Sequence, residues 1–200
     1  LESASSRGGT DIAMTTIRKT ASPKPQAALF HIHSGGMIAG DRYIGMDLMA
    51  DWVERHDLIC ATVEYRKAPE NPYPTPLEDC FDGLLAFQAT LDPNTPLVVA
   101  GMSAGGGLSA GVAQMARDIG GPKLAGQLLM CPMLDSRNSS PSSEQFQHIG
   151  LWDKQSNDTG WNAYLGARRD SGEIPSYGSP ALQTNLTKRW TLESNGCSDY

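Results

Sequence analysis

Apolar residues along this chain fall into short continuous runs, separated by stretches in which they recur every three or four positions. The runs at 27–32 (AALFHI), 58–63 (LICATV), 97–100 (LVVA) and 126–131 (GQLLMC) are too short for buried helices and lack polar alternation. That pattern predicts strands buried on both faces of a parallel sheet. Between them, Ile44, Leu48, Met49, Trp52 and Val53 repeat at helical spacing and predict an amphipathic helix over 41–56. A second helix is predicted over 77–91, with Leu84, Leu85 and Phe87 available for its buried face, and a third over 108–118, rich in small residues. Residues 12–18 alternate weakly and predict an edge strand. Pro69, Pro72, Pro74 and Pro76 impose a rigid connection. Strands alternating with helices define an α/β fold with a mostly parallel sheet and right-handed crossovers.

After Cys131 the rhythm breaks. Residues 135–160 are rich in Ser, Asn and Asp, and 161–166 (WNAYLG) predicts a short helix. The stretch reads as an excursion from the carboxyl end of a strand, which is where open α/β sheets carry their sites.

Composition narrows the classes. Two hundred residues suit a single domain. The 21 Gly and 13 Pro exceed ordinary usage and point to tight turns and close backbone approaches. The net charge of −6 comes from an acidic excess within 41–90, and no basic patch offsets it. Such a chain is a poor nucleic-acid binder, and it has no basic amphipathic stretch for an anionic membrane. No apolar run approaches the ~18 residues of a membrane span. Cys60, Cys80, Cys131 and Cys197 form no CxxC pair and read as buried free thiols, which favours a reducing, cytoplasmic setting. Asn138, Asn157 and Asn185 each open an N-x-S/T triplet, with no signal peptide visible to make them acceptors. No metal-ligand spacing occurs. The chain opens on Leu1, and we expect it to be a fragment.

The chemistry concentrates at Gly101-Met102-Ser103-Ala104-Gly105, between a buried run and a small-residue helix. A serine on so sharp a strand-to-helix turn projects its hydroxyl above the sheet, and side chains at the two glycines would collide. Three readings fit the pentapeptide: a nucleophile elbow, a turn that only packs closely, and a dinucleotide loop. The last suffers because Ser103 stands where a second glycine must admit pyrophosphate, and no acid closes a strand ~20 residues on. A second glycine pair, in His33-Ser34-Gly35-Gly36, follows the earlier run at 27–32 and can aim bare N–H groups into the same region.

Taken together the motifs resemble the hormone-sensitive-lipase-like carboxylesterase branch of the alpha/beta-hydrolase fold. His33-Ser34-Gly35-Gly36 resembles its H-G-G-G, and Tyr65-Arg66-Lys67-Ala68-Pro69-Glu70 its Y-R-L-A-P-E. Asn71-Pro72-Tyr73-Pro74 with Leu77-Glu78-Asp79 resembles the H-P-F-P…L-E-D that follows. Gly101 to Gly106 matches G-D-S-A-G-G except at Met102, and Tyr177 with Ser179-Pro180-Ala181 resembles a later S-P segment. The blocks keep family order over about three quarters of the chain, 27–182.

The resemblance implies a single hydrolase domain over 1–200, incomplete at its C-terminus, with 135–178 as a partial cap. It implies a serine carboxylester hydrolase acting through an acyl-enzyme on small to medium acyl esters. Ser103 would be the nucleophile, Gly35, Gly36 and Ala104 the oxyanion hole, and Asp199 a possible acid. No cofactor or metal is implied, the partner is a small-molecule ester, and the oligomeric state stays open. Ser34 and Met102 depart from the pattern, the latter removing an acid beside the nucleophile. The general-base histidine, which the family carries after its S-P segment, has no counterpart here. His148 is the only histidine after Ser103 and lies in the polar excursion. An impaired enzyme is therefore expected, and the alternative is a non-catalytic hydrolase-like module that binds a ligand. Of the other histidines, His31 reads as packed core, His33 as a structural hydrogen bonder, and His56 as surface. Glu78, Asp79 and Asp82 read as a solvated helix face. Trp152, Trp161 and Tyr164 fit either a pocket wall or the core of the excursion.

Overall fold

A computed structural model of the chain describes residues 2–5, 9–185 and 191–193. The apolar runs become the strands β3 (Ala27–Ile32), β4 (Leu58–Val63), β5 (Leu97–Met102) and β6 (Leu124–Met130). β1 (Glu2–Ser5), β2 (Asp11–Arg18) and β7 (Thr191–Glu193) complete a sheet of order β1-β2-β4-β3-β5-β6-β7. β2 runs antiparallel to β1 and β4, and β4, β3, β5, β6 and β7 are parallel. Residues 12–18 therefore form no edge strand. β2 lies between β1 and β4, and its Ile12 and Met14 are buried.

Topology assigns each helix its face. The chain steps from β3 to β4 in one direction, then from β4 to β5 and β6 in the other. Right-handed crossovers place helices from opposite steps on opposite faces. α1 (Met46–His56) accordingly packs Met49 and Val53 on Leu29, Cys60 and Ala100. α2 (Thr75–Ala89) and α3 (Ala104–Asp118) cover the other face, where Phe30, Val63, Phe81, Leu84, Phe87, Val99 and Val112 are buried. Burying side chains of this size contributes roughly 1.5–3 kcal/mol each.

Several local readings are corrected. α1 begins at Met46, because Gly45 adopts φ 85° after a turn that holds Ile44 outside the helix. α2 starts two residues early, with Pro76 in its first turn, where the missing N–H costs nothing. Leu85 faces solvent while Leu84 and Phe87 are buried. The acids are no solvated face. Asp79 is fully buried and Asp82 nearly so, leaving Glu78 half-buried. Cys60 and Cys80 are buried, but Cys131, at φ 38° just past β6, is exposed.

The excursion carries α4 (Pro141–Gln145), α5 (Lys154–Leu165) and α6 (Ala167–Ser171). α5 is longer than the sequence suggests because Asp153 caps it, its Oδ1 accepting from Ser156 N at 2.8 Å. Trp161 and Tyr164 on α5 are fully buried against the α2–α3 layer. The returning segment is anchored by Ser179, whose Oγ accepts from Ser136 N at 3.0 Å, and by Gln114, whose Nε2 donates to Pro180 O at 3.2 Å.

Candidate active site

Ser103 joins β5 to α3 with φ 55° and ψ −121°, a conformation that costs a non-glycine residue about 1–3 kcal/mol. Its neighbours hold it there. Ser103 N–H donates to Met130 O at 2.9 Å, and its carbonyl accepts from Gly107 N at 3.1 Å and Met133 N at 2.9 Å. The turn is fastened to the last residue of β6 and to the segment just past it. The glycines are close-approach residues. A Cβ on Gly101 would lie 2.2 Å from Gly105 O, and one on Gly105 would lie 2.0 Å from Ile32 O. Ser103 is half-buried, and no described hydrogen bond engages its Oγ. The first N–H groups of α3, Ala104 among them, have no intrahelical partner and point toward the turn.

The loop after β3 lies beside this turn. β3 and β5 are parallel neighbours with Ile32 opposite Gly101, so both loops leave the same end of the sheet. The contact is direct, since a Cβ on Gly105 would also meet His33 O at 2.6 Å. Gly35 has φ 123° and Gly36 φ 63°, and the Gly35 carbonyl accepts from Ile38 N and Ala39 N. No described hydrogen bond uses the N–H of Gly35 or Gly36.

The 33–40 loop is clamped by the segment after β4. The buried rings of His33 and Tyr65 stack at 4.1 Å and 10°, and Tyr65 OH donates to His33 O at 3.1 Å. His33 Nδ1 lies 2.7 Å from Ser34 O, which assigns its proton to Nδ1 and leaves Nε2 buried without a partner. Burial holds this imidazole below its ordinary pKa, against the opposing pull of the Ser34 carbonyl. Ala68 N donates to Met37 O at 3.0 Å. Glu64 gathers Arg42 N at 3.0 Å and Lys67 Nζ at 2.7 Å. Arg66 is fixed in turn by Asp79, whose carboxylate accepts from its backbone N at 2.9 Å, Nε at 2.8 Å and the terminal guanidinium nitrogen at 2.7 Å. Neither this carboxylate nor the His33–Tyr65 stack follows from local patterning, although Tyr65, Arg66 and Asp79 all lie in quoted motifs.

From the excursion, Trp152 reaches the same loop. A Cβ on Gly36 would lie 2.1 Å from Trp152 Cη2, so the indole rests on Gly36. Of the three aromatic residues considered for a pocket wall, Trp161 and Tyr164 are core and Trp152 is 41% exposed.

The remaining candidates lie apart. His31 is buried within β3, while His56 and His148 are exposed. Asp199 and Cys197 lie outside the described residues. Among the described residues, no group of three or more His, Cys, Asp or Glu could hold a metal ion, and no helix is long and apolar enough to cross a membrane. A groove of about 300 Å³ lined by Gln114, Arg117, Lys123 and Leu124 sits where α3 ends and β6 begins, at the far end of the sheet from Ser103.

A serine on a strained strand-to-helix turn, beside a glycine loop from the neighbouring parallel strand, defines a class of fold and site. The model of the alpha/beta hydrolase fold family matches residues 29–190, and the chain belongs to that family. Carboxylesterase NlhH of Mycobacterium tuberculosis is 39% identical over 121 residues, covering 56% of this chain and 36% of its own length. Arylacetamide deacetylase of Bos taurus is 32% identical over 176 residues, covering 80% and 43%. Among solved structures, a bacterial heroin esterase superposes with a TM-score of 0.89 at 31% identity, covering 96% of this chain and 63% of its own. Esterase LipW from Mycobacterium marinum gives 0.83 at 29% identity, covering 96% and 60%. The chain thus spans about two fifths of these curated relatives and under two thirds of the solved structures.

Proposed function

We propose that this chain carries the nucleophile and oxyanion hole of a serine carboxylester hydrolase acting on small to medium acyl esters. The observation that carries the reading is Ser103 at φ 55°, fastened to β6 beside the 33–36 loop. Ser103 Oγ attacks the ester carbonyl. The developing oxyanion accepts from the N–H groups of Ala104 and of Gly35 or Gly36, helped by the positive end of α3. The tetrahedral intermediate collapses by breaking the bond to the alcohol oxygen, which leaves with the proton that Ser103 gave up, and water then adds to the acyl carbon, releases the carboxylic acid and returns a proton to Ser103 Oγ. In this reading 135–178 is a cap over the site, and the esterase names of the relatives support the substrate class.

A serine hydroxyl is a poor nucleophile at neutral pH without a base. No described histidine hydrogen-bonds Ser103, and Asp199 as the acid remains a proposal. The 200-residue chain by itself is therefore expected to hydrolyse esters slowly, at least about 10⁴-fold below a complete triad. The test is p-nitrophenyl acetate hydrolysis by this 200-residue chain and by the protein at its full natural length, each with Ser103→Ala. Ser103-dependent turnover in the full polypeptide supports the reading. Fast, Ser103-dependent turnover by the short chain refutes the missing-base argument. No Ser103-dependent turnover in either leaves a module that only binds a ligand.

A further inference from the structure

Trp152 is partly exposed, yet its indole is pinned. Nε1–H donates to Asn157 Oδ1 at 3.2 Å, Asn157 Nδ2 donates to Asn138 Oδ1 at 2.8 Å, and Asn138 Nδ2 donates to Lys154 O at 3.1 Å. Asn138 is buried at φ 49°, a conformation asparagine tolerates better than most side chains. The network sets the ring from behind.

The far edge of the ring occupies a slot between two glycines. Trp152 Cη2 is the atom a Gly36 Cβ would strike at 2.1 Å. On the other side, a Cβ on Gly160 would come within 3.3 Å of Trp152 Cζ2 and 2.9 Å of Gly36 O. A side chain at Gly36 would evict the indole, and one at Gly160 would crowd it against the loop. The two glycines and the asparagine network therefore specify one ring position, directly against the 33–36 loop.

We propose that Trp152 is a specificity-determining residue of this site, a rigid wall that excludes acyl groups branched at the carbon next to the ester carbonyl. The inference rests on reading Ser103 as nucleophile and Gly36 as part of the oxyanion hole. An oxyanion sits ~2.7–3.1 Å from its donors, so the carbonyl carbon lies within a few ångströms of Gly36. The indole is in contact with that same residue, so the first substituent atoms of a bound ester lie close to the ring. A straight chain lies along an aromatic plane. A branch at the first carbon meets it. The ring has only two torsions, and swinging it aside breaks the Asn157 bond.

The experiment measures kcat/KM in the full natural polypeptide for p-nitrophenyl acetate, butyrate, 2-methylpropanoate and pivalate. Ethyl, isopropyl and tert-butyl acetate form the alcohol series. Trp152→Ala should raise the pivalate-to-acetate ratio at least about tenfold, in line with what one or two methyl groups are worth in a pocket. Asn157→Leu, which frees the ring without deleting it, should move the ratio part of the way. An unchanged ratio in Trp152→Ala, with turnover still abolished by Ser103→Ala, overturns the wall and leaves the nucleophile standing. A change confined to the alcohol series overturns the acyl assignment. Turnover that survives Ser103→Ala overturns both this inference and the reading beneath it.

Discussion

Acid should destabilise this fold through His31, and replacing that residue should remove much of the effect. His31 lies in the middle of the sheet, opposite Thr62 of β4 and Ala100 of β5, 4% exposed, with its ring edge against Gly45 and its Nδ1 unpartnered. Burial, reinforced by nearby His33, brings its pKa down from 6.5 to about 4. Between those values the unfolded chain binds a proton that the folded chain refuses. Stability is therefore full above pH 6.5 and is lost as the pH falls toward 4. At 1.36 kcal/mol per pKa unit, the loss from His31 is about 2 kcal/mol at pH 5 and about 3 kcal/mol at pH 4. His33 is shifted the same way and adds to it. His31→Leu keeps the site filled and removes both the titration and the unpartnered nitrogen. Urea unfolding of wild type and variant at pH 7, 6, 5 and 4 measures the difference directly. The variant should hold its stability on acidification better than wild type by the amounts given. Parallel curves for the two proteins would show that His31 is not the group that titrates.

Asp79→Ala should cost about 3 kcal/mol in unfolding free energy, because it strips a fully buried carboxylate from Arg66, whose side chain is 31% exposed and can recover some hydration. Gly105→Ala should cost about 1–3 kcal/mol and, in the full natural polypeptide, abolish labelling of Ser103 by a fluorophosphonate, since its methyl would sit 2.0 Å from Ile32 O; a folded variant that labels at the wild-type rate would contradict the tight turn. Tyr65→Phe loses a hydrogen bond worth about 1 kcal/mol to His33 O, and in the full natural polypeptide kcat should fall several-fold with KM unchanged if that bond sets the proposed donors of the 33–36 loop. In a Cys197→Ser background at pH 8, an aromatic disulfide reagent should modify exposed Cys131 alone, because Cys80 is buried and burial pushes the Cys60 thiol up to about 12; rapid reaction of a second thiol would contradict the packing.

Local signals made much of this molecule readable. β3 and β4 coincide with their apolar runs because a strand buried on both faces needs continuous hydrophobicity and turn residues at each end. The turn at Ser103 was legible for a similar reason. Gly101 is demanded by backbone atoms of Gly105 and Gly106, four and five residues on, and Gly105 by the end of β3, so the pentapeptide shows where the turn falls while part of the demand on it comes from the neighbouring strand. Helix boundaries were less legible. α1 is delayed by a left-handed Gly45, and α5 is extended by an Asp153 cap inside a polar stretch where no hydrophobic period announces it.

The chain's sequence alone therefore determines the α/β class, its parallel strands and the place of the serine turn, which depend on periodicity and on a run of small residues, while β3 and the end of β6 hold that turn in its strained form. The tertiary structure decides whatever depends on strand order and on which surfaces meet. It turns Asp79 from a helix-face acid into the buried partner of Arg66, and it places β2 between two strands. It stacks Tyr65 on His33, 32 residues away, and lays Trp152 on Gly36 across 116. Those contacts leave no periodic trace, because each is selected by the packing of loops that share one end of the sheet. The turn at Ser103 is written where it stands, and its surroundings are assembled only when the sheet closes the distance.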